Sequence, residues 1–195
     1  MQLGGFGEDL RSLTVCLRYR ALTDRAVLFS YATKQSKNEI KFEVKRSHFK
    51  YYVHNKNLTY VPLPTLTDED WHTLCGTWET NRGRWTAFHD GRLVGRGMGH
   101  AVGKRIAGEG VIILGQDQDL VETGFPKSKS FHGSLAGINV WNKPMSGDFI
   151  KGISRDCGSG QPGSAVSWGD FRPHRKGSYT GHVTTVEHLP RCRTK

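Results

Sequence analysis

Gln116, Asp117, Gln118 and Asp119 concentrate oxygen ligands directly after the apolar run Val111 to Leu114. Clustered carboxylates and amides at the end of a buried strand suit a rim site for a hard cation, which takes about six to eight oxygens. Asp117 and Asp119 are also the residue types of a paired-acid glycosidase site, so a carbohydrate-active enzyme is one alternative reading. The plain alternative is a solvated turn at a strand end. No Gly-x-Ser-x-Gly elbow, His-Glu-x-x-His or Walker loop accompanies the cluster. Gly95, Gly97 and Gly99 look like a phosphate loop only superficially, because no Lys-Ser/Thr follows them. The nine histidines are dispersed along the chain, so each reads as a surface or core-edge side chain.

Four cysteines, Cys16, Cys75, Cys157 and Cys192, form no Cys-x-x-Cys pair and no zinc spacing with histidine. An even count without metal spacing favours disulfides and an oxidising compartment. Buried free thiols are the other reading. Asn57-Leu58-Thr59 is an N-glycosylation sequon, which belongs on a surface loop of a secreted protein. The formal net charge is +10. The basic residues are scattered and no nucleic-acid motif accompanies them, so nucleic acid is set aside. An anionic glycan or cell surface, drawn by the same long-range field, and an ordinary solvated surface both remain. The basic clusters Arg172–Lys176 and Arg191–Lys195 predict weak, salt-sensitive heparin binding. Apolar runs are only a few residues long, so direct membrane insertion by this segment is not expected. Met1 is not followed by a basic and then apolar signal segment, which reads as a removed signal or a fragment of a longer chain.

The elements that must position these residues are short strands. Residues 1–11, with Gly4, Gly5 and Gly7, read as a flexible start. Ile40, Phe42 and Val44 alternate with Lys41, Glu43 and Lys45, the pattern of a half-buried strand. Trp71 to Glu79 also has a period of two, with large residues on both faces. Asp90-Gly91 marks a tight turn. Residues 143–153 read as one short helix with Pro144 in its first turn. Ala165 to Phe171 reads as a last core strand anchored by Trp168. Trp78, Trp141 and Trp168 read as core anchors. Many strands separated by turns, with one helix, argue for an all-β sandwich.

Cys75-Gly76-Thr77-Trp78-Glu79-Thr80 resembles the signature of the pentraxin family, a Cys, one residue, Thr or Ser, then Trp. The family's His two residues before the Cys is Thr73 here, with His72 one place earlier. Leu13 to Leu17, Leu28 to Thr33, Ile113 to Asp119 and Gly137 to Trp141 agree in order and spacing. The resemblance runs from about Leu13 to about Pro190 and sharpens the fold class. It implies an all-β, two-sheet antiparallel jelly-roll, lectin- and laminin-G-like, with one short helix. The domain then spans 12–190, before a basic tail at 191–195. The family's additional N-terminal strand has little room before Leu13.

The resemblance implies a Cys16–Cys75 bridge; it leaves Cys157 and Cys192, which by elimination could pair with each other. It also implies a calcium face. Asn38, Asp117, Gln118 through its carbonyl, and Asp119 match ligand positions. Lys37 stands where the family has Asp, and Pro126 and Lys129 stand where it has Glu and Gln. An ammonium has no lone pair to give a metal. The resemblance therefore implies a weak or vestigial calcium site, with Lys37 and Lys129 as ion-pair partners for Asp117 and Asp119. The expected function is a non-catalytic recognition module, secreted or on the extracellular side of the plasma membrane. Its expected ligand is an extracellular protein or an anionic glycan. Homo-oligomers and a place in an adhesion G-protein-coupled receptor or other mosaic protein are compatible with that reading. A calcium-dependent secreted pentraxin is the alternative.

Overall fold

A computed structural model describes residues 2–46, 48–63, 68–118, 121, 130–155 and 161–171. Two antiparallel sheets face each other across one apolar core. The larger sheet runs β1 (Gln2–Gly4), β11 (Gly110–Leu114), β3 (Arg25–Thr33), β4 (Ile40–Lys45), β5 (His48–Val53) and β6 (Lys56–Asn57), with β7 (Val61–Pro62) also on β5. The smaller sheet runs β10 (Arg92–Gly97), β9 (Arg84–His89), β8 (His72–Glu79), β2 (Ser12–Ala21) and β12 (Gly133–Trp141). Chain neighbours are not always sheet neighbours, and crossovers of this kind make a jelly roll.

The period of two decides which side chains meet. In β4, Ile40, Phe42 and Val44 enter the core, while Lys41, Glu43 and Lys45 take the other face. Phe42 packs edge-on against Phe49 and Tyr51 of β5. Leu74 and Trp78 of β8 approach from the smaller sheet, both fully buried. Gly76 between them leaves room for the facing rings: a Cβ there would lie 2.9 Å from both Phe42 and Tyr51.

A second apolar cluster lies on the outer face of the smaller sheet. The helix α1 (Gly147–Arg155) presses Ile150 onto Phe88, Trp141 and the Cys16–Cys75 disulfide, with Met145, Phe149 and Ile153 around them. The Ser146 hydroxyl accepts from Phe149 N–H and caps the helix at its N-terminus. Arg18 reaches from β2 to the Ile153 carbonyl at 2.7 Å and ties down the far end.

Three local expectations change. Residues 2–11 are part of the sandwich, not a flexible start: β1 pairs with β11, and Leu10 bridges Ile106. The glycines there hide the strand because the backbones run close, and a Cβ at Gly5 would collide with the Gly108 carbonyl. The helix begins at Gly147, after Pro144. Ala165 to Phe171 is not a strand. Val166 makes a single bridge to Val140, and Trp168–Phe171 is a 3-10 turn whose Phe171 is fully buried. Trp78 and Trp141 are buried, and Trp168 packs half-buried against the core.

Candidate functional site

The outer face of the larger sheet collects the predicted ligands. The register sets Ser30 beside Lys41, and Lys41 beside Tyr52, across β3, β4 and β5. All three point away from the core. After β11 the chain turns at Gly115, which has φ +78°, and brings Asp117 and Gln118 over this face. Gln118 is fully buried. Its amide donates to the Ser30 carbonyl at 3.2 Å and to the Val111 carbonyl at 3.1 Å. The side chain is therefore committed to holding the turn. Asp117 is 2% exposed.

Lys41 fills the position in front of Asp117. Its Nζ lies 3.5 Å from Asp117 Oδ1 and 3.8 Å from Glu43 Oε2. It also sits 4.4 Å from the centroid of the Tyr52 ring. Two carboxylates and an aromatic face surround one ammonium that is almost wholly buried. Burial, and then the charge and hydrogen bond of Glu43, push the Tyr52 phenol up to about 12.

Asn38 lies in the turn two residues before β4, half-buried. Its N–H donates to the Asn55 side chain at 3.0 Å, and its carbonyl accepts from Asn55 N–H at 2.9 Å. Lys37 is exposed. The lysine drawn to Asp117 here is thus Lys41, from the middle of β4. Sequence reasoning missed it because alternation assigns Lys41 to a solvated face. The turn that gives it Asp117 is a tertiary fact. Asp119, Pro126 and Lys129 lie outside the described residues, as do Cys157, Cys192 and both basic clusters.

Cys16 and Cys75 are directly opposed in the β2–β8 ladder and joined by a disulfide. Asn57 is exposed on the edge strand β6, and Thr59 of its sequon is buried, its hydroxyl donating to the Phe49 carbonyl.

Two antiparallel sheets in this order, with one short helix, make a lectin-like jelly-roll sandwich. The family model described as the Pentaxin family matches residues 6–178, and the chain belongs to this family. It is similar to human neuronal pentraxin-2, with 33% identity over 164 residues, 83% of this chain and 38% of that protein. It is also similar to a rat protein, "Sushi, von Willebrand factor type A, EGF and pentraxin domain-containing protein 1". That match has 32% identity over 143 residues, 73% of this chain and 4% of that protein. The chain thus spans well under half the length of these relatives. Among solved structures, a heptameric SAP-like pentraxin from Limulus polyphemus superposes with a TM-score of 0.74 at 24% identity. That match covers 86% of this chain and 81% of the other.

Proposed function

We propose that the chain is a non-catalytic extracellular recognition module in which Lys41 takes the structural place of a calcium ion. The observation that carries this reading is the buried Lys41 ammonium between Asp117 and Glu43. A divalent cation at Asp117 would meet that fixed positive charge a few ångströms away. The carboxylate that would attract it is already paired. Asp117 and Gln118 are then fastened at this corner, and the ligand set expected from the sequence, Asn38, Asp117, Gln118 and Asp119, has a low affinity for calcium. Asp117 is 2% exposed, which leaves it poorly placed to meet a glycosidic bond as one of two acids.

The ligand is an extracellular protein or an anionic glycan. The +10 charge supports the second, the disulfide supports an oxidising compartment, and the exposed Asn57 supports a glycosylated surface. The rat relative, in which the matched region is 4% of the length, supports a place within a larger mosaic protein, secreted or on the extracellular side of the plasma membrane. Calorimetric titration with calcium tests the central claim. The domain takes up no calcium in the micromolar range, and Lys41→Met gains affinity. Tight binding by the unaltered domain, with no gain in the variant, refutes it. Retention on heparin at low salt, lost within a few hundred millimolar, tests the glycan.

A further inference from the structure

Two histidines that are seventeen positions apart in sequence meet where β8 begins and β9 ends. Leu74 of β8 is paired with His89 of β9, and His72 lies two residues before Leu74 on the same face. The imidazole rings stack with their centroids 5.1 Å apart. Asp90 follows His89 and opens the two-residue turn Asp90-Gly91, both residues having positive φ. This turn bends the carboxylate back over the rings. One ring nitrogen from each histidine and one Asp90 oxygen all lie within 4.8 Å of one another.

The remaining polar atoms of these groups are held by their own partners. Asp90 Oδ1 accepts from the Thr73 N–H at 2.8 Å. His89 Nε2 meets the buried Tyr19 hydroxyl at 3.2 Å. His72 Nε2 meets Asp68 Oδ1 at 3.0 Å. What is left converges: Asp90 Oδ2 is 2.8 Å from His72 Nδ1 and 3.6 Å from His89 Nδ1. Orienting partners of this kind are the usual outer shell of a metal site, carboxylate on histidine included.

We propose that His72, His89 and Asp90 bind a divalent transition metal, with zinc the best match to the donor set. Two imidazoles and a carboxylate suit zinc and disfavour calcium, which takes oxygen ligands. At zinc–ligand distances near 2.0–2.2 Å, tetrahedral ligands sit roughly 3.3 Å apart, so the cluster closes by about an ångström or a little more. Three protein ligands leave a fourth position for water or a partner's donor. Asp90, whose side chain is 43% exposed, borders solvent and gives the ion its way in. Without metal the same geometry is held by a proton. Burial acts to lower the pKa of His72, but hydrogen bonds to Asp90 and Asp68 outweigh it and hold it at about 9. Zinc replaces the proton on His72 Nδ1, and that proton passes to the buffer. Burial acts to lower the pKa of His89.

Zinc chloride titrated calorimetrically into the chelator-stripped domain is the test, with cobalt as a spectroscopic probe. The expected result is one zinc per chain and the intense visible bands of tetrahedral cobalt. Asp90→Asn keeps the turn, because Asn tolerates positive φ, and keeps an acceptor for Thr73 N–H. It should weaken zinc more than Asp68→Asn, which removes an outer partner and should cost about 10–100-fold. His72→Gln should abolish the cobalt bands while the far-ultraviolet circular dichroism stays unchanged. Absence of saturable zinc binding, or zinc affinity unchanged by Asp90→Asn, overturns the proposal and leaves the cluster a hydrogen-bonded fastener. Calcium titration of Asp90→Asn separates this site from the Lys41 corner, because the calcium response there should not change.

Discussion

Lys41→Met keeps most of the side-chain volume over Tyr52 and removes the charge. At an effective dielectric constant of about 20, ion pairs of 3.5 and 3.8 Å are worth about 4.7 and 4.4 kcal/mol of gross attraction. Desolvating the ammonium takes back several kcal/mol, so the net value of the arrangement is much smaller. The variant also leaves Asp117 and Glu43 buried without this counter-charge. Breaking a buried pair in this way costs roughly 3–5 kcal/mol. For a chain of this length that is a fall in Tm of about 6–20 °C in chelator, at 2–4 °C per kcal/mol. Calcium should return part of it to the variant, because a divalent ion can now take the vacated position. At a calcium concentration one hundred times its Kd, the recovery is about 2.7 kcal/mol. The unaltered domain should show no comparable rise. Differential scanning calorimetry of both proteins, each in chelator and in calcium, measures all four values. Two results refute the reasoning: a variant as stable as the original in chelator, or an original domain that gains as much from calcium.

Removing the disulfide with Cys16→Ala and Cys75→Ala should cost about 4 kcal/mol by loop entropy for a separation of 59 residues, read from urea midpoints. Trp78→Ala should cost about 3–5 kcal/mol, and Gly76→Ala about 1–3 kcal/mol because its methyl group meets the Phe42 and Tyr51 rings; thermal unfolding checks both. Burial raises the pKa values of Tyr31, Tyr51 and Tyr52, so the native state keeps phenolic protons that the unfolded chain loses near pH 10. Stability should therefore hold steady below pH 10 and fall as pH rises through 10 to 12, by up to about 1.4 kcal/mol per pH unit per phenol. Denaturant melts across that range, followed alongside the phenolate absorbance, measure it. Stability that stays level from pH 10 to 12 would contradict it.

The strands, their inward faces and the sandwich class were legible in the sequence because alternation in β4 and β8 repeats the pleat. The Asp90-Gly91 turn was legible for the same kind of reason, since local chemistry alone demands positive φ there. The Cys16–Cys75 pairing was carried by the resemblance of its flanking residues, and the register of β2 on β8 gives its geometry. Other features were set only by contacts between distant segments. Gly4, Gly5 and Gly7 looked like a frayed start, yet Gly4 pairs with Val111 of β11 and Gly5 lies against the backbone of Gly108. Lys41 looked like one more solvated charge on an alternating strand. The turn after Leu114, folded over β4, gives it Asp117. His72 and His89 looked dispersed because nothing local links them. The pairing of β8 with β9 and the reversal at Asp90 set their rings face to face. A period of two encodes which face a side chain takes, but not what the rest of the chain later lays upon that face.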